Sequence, residues 1–529
     1  MTLQLRDISL PIERDEAELP RAVARELGLK PAAVRSLEVV RRSVDARRRP
    51  RIQFVYTVRF EVDNEDAVLH RNRRNRRLAR VEKPRFEFPQ SRLDGRRVLV
   101  AGMGPAGLFA ALTLARCGAD VMLLERGRPV ERRVRDVERF WSGGGFDPVS
   151  NVQFGEGGAG TFSDGKLTTR INHPHIRLIL ETLVSFGAPR EILTDAKPHI
   201  GSDRLRAVLI RFRRALERLG VVIRFESCLT DLLLQAGRVI GGVINEREEW
   251  TCDALVLAPG HSARDTYAML EKRGVALEGK AFAVGLRVAH PVELINRIQY
   301  GMAGHPRLGA ADYRLAWNDP ASGRGVYSFC MCPGGEIVNA ASETGGVVVN
   351  GMSRYRRNAP LSNSALVVSV SPDDFGTHPL DGVRFQRRLE RRAFVLGGGD
   401  YRVPVQNLLA FLGRGTGPVG AICRPGVREA DLAELLPAGL LAPLREGIVR
   451  FDGKMKGFVT AEAVLAGVES RTSAPLRIVR DRAGESVSHP GLFPAGEGAG
   501  YAGGIMSAAL DGMRVAEGIM SKLQTVETT

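Results

Sequence analysis

The chain has 529 residues, with 76 Lys plus Arg against 60 Asp plus Glu and a formal charge of +16. A length of several times the usual domain size excludes a single small module, and 44% hydrophobic with 26% charged residues excludes wholesale disorder or an acidic tail. Six cysteines are too sparse for a disulfide scaffold, and the opening MTLQLRDISLPIERDE lacks a cationic start before an apolar run, so a reducing, cytoplasmic setting without export is expected.

Residues 1–90 hold 21 basic and 14 acidic side chains, +7 of the total. ISLPI reads as a strand, ELPRAVARELG as a helix, and SLEVVRRSVDARRRPRIQFVYTVRFEVD as two strands around a basic turn, a small β-α-β-β module. RNRRNRRLARVEKPRFEFPQ follows; its first ten residues contain six Arg and no acid, which reads as a solvated face or linker. From Arg96 the pattern becomes strand, helix, strand in RRVLVAGMG, PAGLFAALTLARCG and ADVMLLERG, the β-α-β unit of a parallel α/β sheet. Val98 to Ala115 runs uncharged for eighteen residues, but its interior GMGPAG suits a strand, tight loop and helix rather than a membrane span. Helices are expected around 131–141 and 203–219, and CDALVLAPGHSA reads as a further strand ending in a glycine turn. Residues 281–450 mix short β-rich segments with helices, a substrate-side insertion. GLFPAGEGAG and GIMSAALDGMRVAEGIMSKL return to the first style as a strand, a glycine loop and a closing helix. The expected architecture is therefore α/β. A basic α/β module spans 1–90, a Rossmann-like dinucleotide domain spans 91–280 and 451–529, and a β-rich domain spans 281–450.

Gly102-Met-Gly104-Pro105-Ala106-Gly107 follows a strand and opens a helix, and Glu125 ends the next strand before Arg126. Gly102 permits the tight turn, Gly104 lets a pyrophosphate approach the backbone, and Gly107 allows helix and strand to touch, while the helix N-terminus favours anions. Glu125 is placed to accept from ribose hydroxyls. This context makes the motif a dinucleotide site.

These residues resemble the opening fingerprint of the two-dinucleotide-binding-domain flavoproteins. The resemblance implies FAD, with Leu257-Ala-Pro-Gly260 as a middle signature, Leu229 in the strand that meets adenine, and Gly496-Glu497 followed by Gly503-Gly504-Ile505 near the flavin. Glu497 stands where that family usually has Asp, and no second GxGxxG offers a built-in NAD(P)H domain. More narrowly, SVDARRRPRIQFVY, FGEGGAGTFSDGKL, YSFCMCPGGEIVNAASE, KMKGF and GVESRTSAPLRI are similar to the uncharacterised FAD-dependent dehydrogenase family. That implies a dehydrogenase or reductase with non-covalent FAD, acting on a small molecule that the family does not specify.

Beside these, the loop Gly155–Lys166 would lay glycines, including Gly158, and Thr161 against the cofactor, with Lys166 bringing a positive charge. The Ile505 helix N-terminus would stabilise negative charge on a reduced flavin. Glu469, Arg471 and Arg477 put guanidiniums and a carboxylate into one segment, suited either to an acidic substrate or to a structural pair. Cys330-Met331-Cys332 could be a redox pair, although cysteines at this spacing form strained bridges and buried ones usually act as apolar filler. Lys166, Glu469, Arg471 and Cys332 are the catalytic candidates, with Glu343 a further possible base. No metal site is expected, since His173 and His175 lack partners at metal spacing, and Gly274–Ala281 misses the P-loop hydroxyl. The Arg cluster keeps a nucleic-acid-associated flavoprotein, such as an RNA-modifying enzyme, as an alternative, alongside a protein using FAD structurally.

Overall fold

Val98, Leu99 and Val100 are fully buried in succession, which a strand achieves only when both faces of its sheet are covered. In the computed structural model, which describes residues 2–82, 86–89 and 92–524, the strand Arg97–Ala101 is the centre of a five-stranded parallel sheet. The order across it is Leu492–Pro494, Ala254–Leu257, Arg97–Ala101, Asp120–Leu124, Val222–Arg224. The helices Pro105–Arg116 and Ile505–Leu523 cover one face. A three-stranded antiparallel layer, Leu229–Gln235, Arg238–Ile244 and Glu248–Thr251, covers the other through Leu229, Leu232 and Val239. Because Leu492–Pro494 pairs with Ala254–Leu257, the end of the chain completes the sheet that residue 97 begins.

The middle of the chain builds a seven-stranded sheet ordered Ala316–Asn318, Gly325–Cys332, Leu361–Val370, Phe282–Pro291, Val464–Glu469, Val403–Asn407, Val427–Glu429. Its core is closed by the helices Asp381–Leu396 and Ala438–Lys454. This corrects the expected boundary at 450: the helix Ala438–Lys454 runs through it, and Val464–Glu469 pairs with Phe282–Pro291 and Val403–Asn407. The insertion therefore carries the GVESRTS segment. Fully buried antiparallel strands carry no alternation, so their sheet membership is not written in their residues.

At the front, Arg35–Asp45, Gln53–Glu61, Thr2–Pro11 and Leu78–Val81 form an antiparallel sheet in that order, against the helix Leu19–Leu27. The Arg-rich segment departs from expectation here, because it supplies the edge strand Leu78–Val81 with Leu78 buried. Arg77 pairs with Glu26, and Arg80 lies 3.2 Å from Glu65 and 2.5 Å from Asp66. Of the expected linker, residues 83–85 and 90 lie outside the described residues. The module grips both larger domains: Arg42 exchanges backbone hydrogen bonds with Thr194 and Ala196 and pairs with Asp195 at 2.8 Å, and Arg307 donates to Ile12 O at 2.9 Å. Among the described residues no helix is long and apolar enough to cross a membrane.

Candidate active site

A cavity of about 390 Å³ opens at the carboxyl ends of the parallel strands and runs to the wall of the seven-stranded sheet, within the size range of small-molecule sites. Gly102 begins it with φ +109, and a Cβ there would lie 2.1 Å from Ala258 O, so glycine lets two neighbouring strand ends meet. Gly104 caps the helix Pro105–Arg116 and lines the cavity; a Cβ on it would approach nothing nearer than Gly158 Cα at 4.0 Å. Around Gly260, Gly503 and Gly504 nothing lies within 4 Å of that position. The backbone is thus bared to the cavity at both ends of the chain, a cradle that fits a long dinucleotide with anionic centre.

Of the expected cofactor residues, Gly102, Gly104, Pro105, Ala106, Glu125, Arg126, Gly158, Leu229, Gly260, Gly496, Glu497, Gly503, Gly504 and Ile505 line this cavity. Gly107 and Thr161 stand behind it. A Cβ on Gly107 would strike Gly102 O at 1.9 Å, so this glycine serves the turn's packing. Thr161 is fully buried and bonds Glu156 O and Arg133. Glu125 has a structural role beyond the expected ribose contact, since its carboxylate accepts from Met103 N (3.0 Å), Gly127 N (2.9 Å) and Gly155 N (2.9 Å). It ties the fingerprint to the second glycine loop, and one Oε2 lone pair remains for a ligand. Arg126 lies over the Phe154 ring at 4.4 Å and donates to Asp265 at 2.9 Å.

The second glycine loop is organised by Arg133, which sequence reasoning missed. Its guanidinium is fully buried and donates to Asn151 O, Val152 O, Gly155 O, Glu156 O, Gly158 O and Thr161 Oγ1 at 2.7–3.1 Å. Burial lowers its pKa to about 10, even with Glu125 and Glu156 nearby. Arg133 sits in the charge-rich helix Val130–Trp141, where nothing separates it from its solvated neighbours by type. Glu156, also fully buried, accepts from Val130 N at 2.8 Å and Arg213 at 3.0 Å, and burial raises it to about 7.

At the cavity's far end stand Asp164, Lys166, Phe329, Cys330, Asn350 and Glu469. Lys166 bonds Met331 O and lies 3.3 Å from Asp164. Burial would raise Asp164, but Lys166 and Arg357 outweigh it and hold the carboxyl at about 2. Glu469 faces the cavity while its oxygens accept from Arg287 at 2.8 and 3.1 Å; burial outweighs this partner and raises its pKa. Glu497 is raised to about 7 by burial, opposed by Lys280. His261 lies 4.0 Å from Glu497 and is kept neutral, because burial and the guanidiniums of Arg471 and Arg264 push it down to about 3. On the closing helix, Asp511 accepts from Gly496 N at 2.7 Å and from Arg480 at 2.5 Å, holding the turn that precedes Glu497.

The expected Glu469–Arg471–Arg477 constellation is split. Arg471 reaches the cavity, but it donates to Glu390 (2.9 and 2.7 Å), Ser262 (2.9 Å) and Ser342 (2.5 Å), so most of its fork is spent on the protein. Arg477 turns to Glu278 at 3.4 Å. Glu343 is no base at this site, since it pairs with Arg264 at 2.5 Å and Arg387 at 2.6 Å away from the cavity wall. Cys332 is fully buried behind the wall that Cys330 lines. Among the described residues no group of His, Cys, Asp and Glu could hold a metal, and His175 pairs with Glu517.

Three family models match the chain: an FAD binding domain over residues 97–161, an FAD-dependent protein C-terminal domain over 281–472, and a domain of unknown function over 2–61. An uncharacterized protein of Clostridium beijerinckii is 44% identical over 530 residues, covering 99% of each chain. Among solved structures, FqzB is 16% identical over 81% of this chain and 77% of its own, with a TM-score of 0.33. A variant of 2-methyl-3-hydroxypyridine-5-carboxylic acid oxygenase is 13% identical over 81% and 85%, with a TM-score of 0.35. CtdE in complex with FAD is 12% identical over 81% and 91%, with a TM-score of 0.29.

Proposed function

Since this chain belongs to a family of FAD-dependent proteins, we propose that it is an oxidoreductase binding FAD non-covalently and oxidising or reducing a small molecule at the wall of the inserted domain. The observation that carries this reading is one cavity joining the fingerprint loop to Lys166, Cys330 and Glu469. FAD, when bound, supplies two-electron chemistry at its flavin ring. The residues divide the work. The backbone of Gly102–Ala106 and the helix behind it receive the pyrophosphate, and the free lone pair of Glu125 takes a ribose hydroxyl. Arg126 and Leu229 flank the adenosine end. Glu497 offers its carboxyl to the ribityl chain, and the Ile505 helix N-terminus places positive potential at the flavin's edge.

On the substrate side, Glu469 is the better-placed proton acceptor, because it faces the cavity and burial raises its basicity. Lys166 keeps its charge, since Asp164 beside it is ionised; it orients an electron-rich substrate atom rather than removing a proton. The substrate is a small polar molecule, and Arg471 acts through Glu390 as scaffold rather than as its anchor. Two of the six arginines behind the nucleic-acid alternative, Arg77 and Arg80, spend their charge on Glu26, Glu65 and Asp66. The test is anaerobic mixing of the FAD-loaded protein with electron donors while the flavin absorbance is followed. Bleaching that reverses on adding an acceptor supports the reading; a flavin that no donor reduces contradicts it.

A further inference from the structure

The strand Gly325–Cys332 pairs regularly with Leu361–Val370 until Phe329 opposite Ala365, then breaks register so that Cys332 faces Asn363. One extra residue is inserted there, and Cys330 carries it with φ +44. A non-glycine residue in the left-handed region is strained and persists where the surroundings enforce it, often beside active sites. A bulge of this kind re-aims a side chain. Here it brings Cys330 to the cavity wall, while Cys332 remains fully buried directly behind.

The surroundings are those of a reactive thiol rather than of apolar filler. Cys332 Sγ–H donates to Cys330 O at 3.4 Å, and the same carbonyl accepts from Arg287 at 3.2 Å. Lys166, anchored on Met331 O, and Arg287 bring positive charge to Cys330; Asp164, Glu469 and Glu497 are the acids in electrostatic reach. The neighbouring Cys332 side chain, then Lys166 and Arg287, hold the Cys330 thiol well below its usual range, while Cys330 and burial raise Cys332. The two cysteines lie two residues apart in sequence on either side of the bulge, so a disulfide between them closes a very small ring. Such a bridge is strained and therefore readily reduced.

We propose that Cys330 and Cys332 form a dithiol–disulfide couple that exchanges two electrons with FAD, giving the site a second electron store. The proposal rests on the flavoprotein reading above. In the reducing direction the disulfide and FADH⁻ give FAD, the Cys330 thiolate and the Cys332 thiol. The S–S bond breaks, two electrons leave the reduced flavin, and its proton ends on Cys332. The reverse step forms the S–S bond, with both electrons and that proton returning to FAD. Cys330 is the sulfur that meets the flavin, Cys332 resolves the bridge, and Lys166 is the positioning residue that keeps Cys330 anionic.

The couple is tested on the full-length FAD-loaded protein. Air-oxidised protein is alkylated under denaturing conditions and digested; the peptide holding both cysteines is expected unalkylated and two hydrogens lighter, and doubly alkylated after anaerobic reduction. Dithionite titration is expected to consume four electrons per FAD in the parent and two in Cys330→Ser and Cys332→Ser. Should Cys332→Ser fail to fold, the parent's peptide map and electron count still decide. Both cysteines alkylated in the oxidised protein, with two electrons per FAD, would overturn the couple while leaving the oxidoreductase reading intact. A chain that takes up no reducible FAD would overturn both.

Discussion

Arg133 shows how much of the site depends on one side chain that touches no ligand. Six acceptors converge on it, and removing it leaves buried carbonyls unpaired beneath the loop that faces the cavity. Arg133→Met leaves several buried acceptors unsatisfied at about 1–3 kcal/mol each and is expected to destabilise the fold by at least about 3 kcal/mol and to lower FAD retention with it; denaturant unfolding and flavin content check this, and wild-type values for both would refute it. Glu497 gives a pH signature. Its folded pKa is raised from 4.5 to about 7, so the folded state keeps a proton that the unfolded chain releases. This contribution is complete below 4.5 and is lost as pH rises through about 7. Glu497→Gln cannot titrate, and between those limits the FAD-free variant is expected to lose roughly 1–3 kcal/mol less stability than the parent. Parallel stability curves would remove Glu497 as the source. Glu125 and Arg471 teach the limit of reading residues alone: their types suit ligand binding, but part or most of their capacity is spent on backbone N–H groups or on Glu390.

Among elements, the fingerprint strand, loop and helix are legible from sequence because all three are contiguous and each local preference agrees. The helices Val130–Trp141, Ser202–Arg218 and Ile505–Leu523 are legible for the same reason. The bulge at Cys330 is not, since it depends on which strand lies opposite, and Leu361–Val370 is more than thirty residues away. The edge strand Leu78–Val81 is hidden likewise, because six arginines mask a pairing made with the chain's first residues. Gly104 separates binding from folding at this scale. Its φ of −79 suits any residue and a Cβ has room, so Gly104→Ala is expected to unfold like the parent. With the methyl directed at the pyrophosphate, it should weaken FAD at least about tenfold, 1.4 kcal/mol. Unfolding curves and equilibrium FAD titration check the pair of outcomes; equal FAD affinity would move the pyrophosphate elsewhere.

For the whole molecule, the alternating pattern predicts the α/β class and the return of the C-terminal segment, but not which strands belong to which sheet. The boundary expected at 450 fails because Val464–Glu469, which it assigns to the dinucleotide domain, is hydrogen-bonded into the inserted sheet. The domains are joined by a buried charge network. Glu390 on the inserted helix Asp381–Leu396 accepts from Arg264 at 2.7 and 2.9 Å and from Arg471 at 2.7 and 2.9 Å. Glu390→Ala strips Arg471 of its carboxylate and leaves Arg264 with Glu343 alone, and is expected to cost about 3–5 kcal/mol, read by denaturant unfolding; a change under about 1 kcal/mol would mean the network is dispensable, as surface pairs are. The account as a whole requires FAD in the cavity that joins Gly104 to Cys330. The most direct measurement is equilibrium titration of the FAD-free full chain with FAD, followed by flavin fluorescence. The expected result is saturable binding of one FAD per chain that weakens in Gly104→Ala; a folded chain that leaves the flavin signal unchanged would contradict it.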